Sequence, residues 1–438
     1  MADRRDLATS IVRRLREAGH VAYFAGGCVR DRLLGRTPED YDVATSAAPE
    51  TVRTLFARTV PVGMQFGVML VLLGDERFEV ATFRADDAYV DGRRPTAVHF
   101  GTARDDAQRR DFTINAMYWD PITDEIIDFV GGRDDLGTGI IRAIGDARAR
   151  IAEDRLRMLR AVRLAARFGF AIDAATHAAI VAAAPTVTDM AAERIGDEIV
   201  KIATEGRARR GFELLADTAL LDVVLPEVAA MRGVAQPANY HPEGDVWTHT
   251  LLLLEQLPAR TAESLALAAL LHDVAKPPCA RVRDGRITFW EHDVQGETMA
   301  VAICQRLRRS RETWERVGYL VRNHLRLVQA PAMRLSTLKR LLAEDGFDEL
   351  LALVRIDAMA SNRDLQYVEF CDRKRAELRE TVRPPRLLAG DDLLALGYPR
   401  GPLIGQILHA VEDAQLEGDV TTRDQALALV RTRFPTGA

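Results

Sequence analysis

The stretch VAYFAGGCVRDRLLGRTPEDYDVATS, residues Val21–Ser46, decides how the rest of the chain is read. Val21-Ala22-Tyr23-Phe24 reads as a short buried strand, Gly26-Gly27 as a tight turn, and Cys28 to Leu34 as one or two turns of helix starting there. A helix that opens after a glycine turn is an anion site, because free backbone N–H groups and the positive end of the helix dipole point at whatever docks. Gly26 and Gly27 let a phosphate come close, and Arg30 adds a fixed positive charge, so a triphosphate suits the site. Ten residues past Arg30 stands Asp40-Tyr41-Asp42, then Val43-Ala44. In a strand of period two both carboxylates project from one face. Two such carboxylates hold hard divalent cations, here Mg²⁺, and a metal pair activates an attacking hydroxyl while stabilising a leaving pyrophosphate.

Taken singly, a Gly-Gly pair is usually just a turn, and Asp-x-Asp is usually a solvated loop or a helix cap. The ordered combination is far more specific: strand, Gly-Gly, Val-Arg-Asp, Leu-Leu-Gly, a short loop, then Asp-x-Asp. It resembles the signature of the polymerase β superfamily, and within it the class II tRNA nucleotidyltransferases (CCA-adding enzymes) and their relatives, the bacterial poly(A) polymerases.

Composition sets the frame. A chain of 438 residues is long enough for about three domains. With 47% apolar and 28% charged residues it is ordinary soluble globular material. The net charge of -5 gives no global sign of an RNA partner, so any nucleic-acid surface must be a local basic patch. Cys28, Cys279, Cys304 and Cys371 are far apart without CxxC spacing, which suggests neither a disulfide framework nor a zinc knuckle and fits a reducing cytoplasm. The first twenty residues lack an apolar h-region, and Asp3, Asp6 and Glu17 argue against a transit peptide; they are read as a first amphipathic helix. Apolar runs such as Leu265 to Leu271 are too short to span a bilayer.

Beyond the opening stretch, Pro49 to Phe56 reads as helix. Gly67 to Leu73 and Arg77 to Arg84 read as two strands that pair through the Gly74-Asp75 turn. Glu79, on the second, is read as an exposed strand glutamate rather than as a third carboxylate near the metals. Arg84 to Val98 is charged and aperiodic, and is read as a mobile loop. Its Asp-x-x-Tyr-x-Asp-x-Arg-Arg-Pro pattern matches the family loop that helps switch the site from C to A addition. Arg109-Arg110-Asp111-Phe112-Thr113-Ile114-Asn115-Ala116 is the family's second motif almost letter for letter, which implies that Arg110 contacts the nucleotide and Asp111 orients it. Asp128 to Leu136, then Ile141 to Gly145, matches the connector out of the catalytic head.

From Ala147 onward strand signals vanish, and the chain reads as helix after helix. On the first of these, Leu156, Leu159 and Val162 form the packing side, while Asp154 and Arg157 lie three apart and so are neighbours on the helix surface. The plain reading is an i,i+3 ion pair on a wet helix. The sharper reading starts from the bases. Cytosine and adenine present an exocyclic amino donor beside a ring-nitrogen acceptor, and uracil and guanine present the reverse. A carboxylate that accepts from the amino group and a guanidinium that donates to the ring nitrogen take C and A and refuse U and G. The resemblance implies the same, since the family's amino-acid template has the form Glu-Asp-x-x-Arg, with further nucleotide-binding arginines corresponding to Arg160 and Arg163. Glu193 to Glu198 looks like the last family motif, which braces this neck.

A second constellation follows: His249, His272-Asp273, His292, His324 and Asp357. A lone histidine at a helix end is more often a satisfied core or cap residue than a ligand. The ordered set on predicted helices is harder to dismiss, because helical bundles build metal sites from imidazoles and carboxylates on separate helices. It resembles the HD superfamily of metal-dependent phosphohydrolases. That implies His249, His272, Asp273 and Asp357 as core ligands of a second divalent metal of unassigned identity, with His292 and His324 as ligands of a further metal or as phosphate contacts. The chemistry implied is phosphoester hydrolysis by metal-bound water.

Gly390-Asp391-Asp392-Leu393, Leu396 to Pro399 and Gly401 to Gly405 return to the family pattern, in helices that form its RNA-holding tail. The expected fold is α+β: a polymerase β-like head with a small mixed sheet over residues 1–145, then an all-helical neck (146–235), HD domain (236–365) and tail (366–438). The expected activity is template-independent addition of C, C and A to tRNA 3′ ends from CTP and ATP in the cytoplasm, with Asp40 and Asp42 holding Mg²⁺ and no membrane involved. The rivals are a bacterial poly(A) polymerase, an A-only-adding enzyme, and a protein whose main activity is HD phosphohydrolysis. Pro61 to Gly67 lacks the Gly-Arg-Arg-Phe-type signature associated with poly(A) polymerases, and from Thr381 on six arginines face seven acidic residues, where a processive RNA clamp favours a positive tail.

Overall fold

A computed structural model describes residues 3–63, 67–86, 98–237, 241–283, 285–379, 382 and 384–435. The chain divides into two compact units, Met1–Ala229 with Pro258–Arg260, and Ala230–Leu257 with Thr261–Ala438.

The first unit opens with α1 (Arg4–Glu17), whose buried Ala8, Ile11, Val12 and Leu15 recur at helical spacing and pack on the first strands. Then come β1 (Ala22–Ala25), α2 (Gly27–Leu33), β2 (Asp42–Thr45), α3 (Pro49–Leu55), β3 (Thr59–Gly63), β4 (Val68–Leu73), β5 (Glu76–Thr82), β6 (Arg84–Asp86), β7 (Val98–Phe100), α4 (Ala103–Gln108), β8 (Tyr118–Trp119) and β9 (Ile126–Ile127). Seven strands form one sheet in the order β3-β4-β5-β2-β1-β8-β9. β4 and β5 pair as an antiparallel hairpin, as the sequence predicts, while β2 and β5 run parallel with Val43 opposite Val80. That register, carried one step back, brings Asp42 beside Glu79. Phe24, Phe78, Phe83, Tyr118 and Trp119 are fully buried about the sheet, with Phe24 edge-on to Trp119 at 5.3 Å.

The mobile-loop reading of Arg84 to Val98 is corrected at both ends, where β6 and β7 pair antiparallel, with Arg84 opposite Phe100. The family-like loop pattern between them, at residues 87–97, lies outside the described residues, as do residues 64–66 of the Pro61 to Gly67 segment.

α5 (Gly132–Thr138) and β10 (Ile140–Ile141) lead to α6 (Ala147–Glu153), α7 (Arg157–Phe168), β11 (Ala171–Ile172), α8 (Ala174–Ala183), α9 (Ala192–Thr204), α10 (Ala208–Asp217), α11 (Leu220–Val224) and α12 (Pro226–Ala229). Gly132 is required by packing: a Cβ there would lie 2.3 Å from the Thr113 carbonyl oxygen, so only glycine lets the connector close on the preceding motif. α7 buries Met158, Leu159, Val162, Ala165 and Phe168 against α9 and α10.

The second unit holds α13 (Val246–Glu255), α14 (Glu263–Leu271), α15 (Lys276–Cys279), β12 (Arg281–Arg283), β13 (Arg286–Thr288), α16 (His292–Arg306), α17 (Arg311–Asn323), α18 (Leu335–Leu342), α19 (Phe347–Ala360), α20 (Gln366–Glu377), α21 (Gly390–Ala395), α22 (Pro402–Glu417) and α23 (Arg423–Arg433). The expectation that strands vanish after Ala147 is corrected twice. β11 pairs with β10, and β12 pairs with β13. The second pair carries an overlooked signal, Arg-Val-Arg and Arg-Ile-Thr alternating about Asp284-Gly285, the dipeptide that favours a tight hairpin. Leu393, Ile407, Val411 and Val430 form a separate core near the C-terminus. Among the described residues no helix is long and apolar enough to cross a membrane.

Candidate active site and a second metal-ligating cluster

The first unit holds a cavity of about 530 Å³ over the β2 end of the sheet. Asp42, the first residue of β2, faces it together with Glu79. Partial desolvation in the cavity, then the charges of Glu79 and Asp40, raise the Asp42 pKa to about 6. Mutual repulsion of this kind is what a bound cation relieves, and an all-oxygen donor set fits a hard divalent ion. Two readings of the sequence change here. Asp40 stands before the strand, not in it, exposed and paired with Arg4 at 2.8 Å, so period-two alternation is not what places it near Asp42. Glu79 is exposed as a residue, yet the parallel β2–β5 pairing puts it on the same cavity wall as Asp42.

Much of the remaining lining is guanidinium, and most of these arginines are paired with a carboxylate. Gly26 and Gly27 line the cavity, and Gly26 adopts φ +73°, the left-handed region that glycine reaches without strain. A Cβ on Gly26 would stand 3.5 Å from Arg110 Nη1. Arg30 is buried, donates to Asn115 Oδ1 at 2.6 Å, pairs with Asp31 at 2.8 Å, and lies over the Phe168 ring. Arg110 pairs with Asp106 at 3.0 Å and lies over Tyr118. Asp106 also pairs with Arg109 at 2.6 Å and accepts from the Tyr118 hydroxyl at 2.7 Å. Burial works against its charge, but Arg110 and Arg109 outweigh burial and hold its pKa below the usual carboxylate range. Sequence reading passed over Asp106, though its i,i+3 and i,i+4 spacing to the two arginines on one helix end was legible. Asp111 pairs with Arg160 at 2.6 Å and accepts from the Phe112 amide at 2.8 Å, so it orients a neighbouring arginine. Arg163 pairs with Glu198 at 2.7 Å.

Asp154 and Arg157 both line this cavity, but not as neighbours on one helix. The helix breaks at Asp154, which caps α6 in extended backbone, and Arg157 opens α7. Asp154 Oδ2 takes Arg194 at 3.0 Å while Oδ1 accepts from the Leu156 amide at 3.1 Å. Arg157 is buried, pairs with Glu153 at 2.5 Å and donates to the Arg150 carbonyl at 2.6 Å. The expected i,i+3 ion pair is therefore absent: each residue is pinned by a different partner.

The second unit gathers all six residues of the other constellation. His249 Nε2 lies 3.2 Å from His272 Nε2 and 3.0 Å from Asp357 Oδ1. Asp273 Oδ2 lies 3.2 Å from His272 Nε2, and Asp273 Oδ1 lies 3.5 Å from His292 Nε2 and 4.0 Å from His324 Nε2. Two triads result, His249–His272–Asp357 and Asp273–His292–His324, and the two oxygens of Asp273 reach toward both. Nδ1 of His272, His292 and His324 meets a main-chain carbonyl, of Ala269, Phe289 and Val321 respectively. With Nδ1 as donor, Nε2 presents its lone pair inward, the state a metal needs. Burial opposes charge on His249, but hydrogen bonds to Asp357 and Glu243 outweigh it and push its pKa up to about 9; burial lowers His324 to about 4. An adjoining cavity of about 730 Å³ is lined by His292, His324, Asp357, Lys276, Trp290 and Tyr367, among others. Lys276, missed in the sequence, pairs with Asp273 at 2.7 Å.

Comparison with known proteins matches three stretches. Residues 22–142 match the model "Poly A polymerase head domain", residues 169–232 "Probable RNA and SrmB- binding site of polymerase A", and residues 245–373 "HD domain". A CCA-adding enzyme of Leuconostoc mesenteroides is 44% identical over 208 residues, covering 47% of this chain and 52% of that one, so this chain spans about half the length of that relative. A CCA-adding enzyme of Enterococcus faecalis is 31% identical over 424 residues, 96% of this chain and 94% of its own. The chain belongs to the CCA-adding enzyme family. A crystal structure of the Bacillus stearothermophilus CCA-adding enzyme in complex with CTP superposes with a TM-score of 0.74 at 27% identity, covering 99% of each chain. The family's head model ends at residue 142, whereas α6 and α7, which carry Asp154 and Arg157 to the cavity, follow it. Its HD model spans all six residues of the second cluster.

Proposed function

We propose that this protein adds C, C and A to tRNA 3′ ends from CTP and ATP, in the cytoplasm, and carries a metal-dependent phosphohydrolase site in its HD region. The observation that carries the first part is one cavity that joins Asp42 and Glu79 on one wall to Arg30, Arg110, Arg160, Asp154 and Arg157 on the others. A triphosphate needs many fixed cations, and a base needs a specific donor and acceptor; both are within this space.

In this reading Asp40 and Asp42 hold Mg²⁺, with Glu79 beside Asp42. The ion, when bound, lowers the pKa of the attacking 3′-hydroxyl and neutralises charge on the leaving pyrophosphate. Gly26 and Gly27 let the phosphates approach, and Arg30, Arg110, Arg160 and Arg163 offset their charge. Asp154 accepts from the exocyclic amino group of C or A, and Arg157 donates to the ring nitrogen. Because Glu153 and the Arg150 carbonyl hold Arg157 and Arg194 holds Asp154, both groups meet the base without reorganising. His249, His272, Asp273 and Asp357 hold the HD metal, with His292 and His324 as ligands of a second. Residues 1–145 act as the catalytic head, 146–235 as the selecting neck, 236–365 as the HD domain and 366–438 as the RNA-holding tail.

The test is incorporation by the purified protein on tRNA ending at the discriminator base, in C or in CC, with each NTP supplied separately. CTP used on the first two ends and ATP on the third is the expected pattern. ATP used repeatedly on any RNA end would make it a poly(A) polymerase, and ATP used only on the CC end would make it an A-adding enzyme.

A further inference from the structure

Of the four imidazoles that converge in the HD region, three are oriented by main-chain carbonyls at Nδ1. His249 differs. Its Nδ1 meets a side chain, Glu243 Oε1, at 2.7 Å, and the same oxygen takes His241 Nδ1 at 2.9 Å. Glu243 stands in the short segment before α13, its side chain 7% exposed, and its other oxygen is buried with no hydrogen-bond partner among the described residues. The carboxylate therefore serves the two rings: an acceptor shared between two N–H donors fixes both as Nδ1–H tautomers. For His249, itself fully buried, this aims Nε2 at His272 and Asp357. For His241 it fixes a ring that stands edge-on to His249 at 4.8 Å and lines the cavity beside the cluster.

We infer that Glu243 is the positioning residue of the HD metal site: it sets the tautomer and orientation of His249, and so the affinity of that site for a divalent cation. The inference rests on the reading of this cluster as a metal site. A carboxylate behind a ligating imidazole raises its basicity as well as aiming it, and loss of such a partner typically weakens metal binding ~10–100-fold. The carbonyls behind the other three rings cannot be removed by substitution, so in this site the side-chain-dependent orientation falls on His249.

The test uses the full chain with Co²⁺ as probe, reading the visible bands that imidazole ligation produces and the Kd from titration. Thermal unfolding and CTP incorporation are followed in parallel. Glu243→Ala is expected to weaken Co²⁺ about 10–100-fold. Glu243→Gln, whose amide oxygen can still accept from His249 Nδ1–H as a carbonyl does, is expected to recover much of that loss. Incorporation of CTP is expected to stay at the wild-type level in both. Wild-type Co²⁺ affinity in a folded Glu243→Ala protein overturns the inference, and so does equal loss in both variants accompanied by an equal drop in Tm, which would make Glu243 merely structural. Absence of imidazole bands in the wild-type protein overturns the metal-site reading itself, and is thereby distinguished from failure at Glu243.

Discussion

Asp154 and Arg157 face one cavity without pairing to each other, Asp154 held by Arg194 at 3.0 Å and Arg157 by Glu153 at 2.5 Å. Two oppositely charged groups three residues apart would ordinarily satisfy one another. Separate restraints leave Asp154 able to accept a hydrogen bond from a third party and Arg157 able to donate one to it, which is what a base-reading pair needs.

Substitution should then act on selectivity. Asp154→Ala or Arg157→Ala loses one base-specific hydrogen bond, a cost on the order of 1–3 kcal/mol, or up to roughly a hundredfold in preference for CTP and ATP over UTP and GTP. The double variant should lose less than the sum, since both groups serve one base. Relative kcat/KM for the four NTPs on a tRNA lacking its last residues measures this, and unchanged selectivity in both single variants would return the pair to a structural role.

Asp42→Asn and Asp40→Ala should reduce nucleotide addition to background while leaving tRNA binding nearly intact. The pH dependence follows from the raised Asp42 pKa. Protons and divalent ions compete for one carboxylate, so addition should fall as pH drops through about 6, and extra Mg²⁺ should move that fall to lower pH.

Stability should show the opposite sign for the same residue. The Asp42 pKa is higher folded than unfolded, so ionisation opposes folding: the penalty is absent below pH 4 and complete above about 6. In metal-free buffer at pH 7.5, Asp42→Asn should therefore melt about 1–2 °C above the wild type, a small gain because the carboxylate is partly solvated. At pH 4 the two proteins should melt together, and a lower Tm for the variant at pH 7.5 would contradict this account.

Asp106→Ala leaves Arg109 and Arg110 without their shared partner and the Tyr118 hydroxyl without its acceptor. A loss of about 3–5 kcal/mol is expected from breaking so buried a pair, together with a raised KM for NTP because Arg110 is no longer fixed. Asp106 has a depressed pKa, so its contribution is present above the unfolded value near 4 and is lost as pH falls through the folded value. Denaturation of wild type and Asp106→Asn across that range should show the two stabilities converging in acid.

His272→Ala or Asp273→Ala should remove divalent-dependent hydrolysis of a phosphodiester such as bis(p-nitrophenyl) phosphate without lowering CCA addition. Joint loss of both activities in a folded protein would mean that the two sites are not independent.

Much of the head was legible because its signals are local. Strand, glycine turn, short helix and the Asp40-Tyr41-Asp42 strand entry occupy Val21–Ser46, and backbone preference alone sets most of that order. The HD residues were legible as a group from identity and order, and the structure brings His249, His272-Asp273, His292, His324 and Asp357 together from separate helices and helix ends. What the sequence left open was pairing. A parallel β2–β5 ladder, which no nearby turn announces, puts Glu79 beside Asp42. A helix break at Asp154, which the i,i+3 pattern conceals, gives Asp154 to Arg194 and Arg157 to Glu153. The choice among so many arginines and carboxylates cannot be read from spacing alone, because several partners compete for each group and the pairing follows where the packed cores of α7 and α9 carry the charges. Glu243 belongs to the same class: its residue type is unremarkable in sequence, and only the burial of His249 against Asp357 and His272 makes the carboxylate behind its ring a determinant of the site.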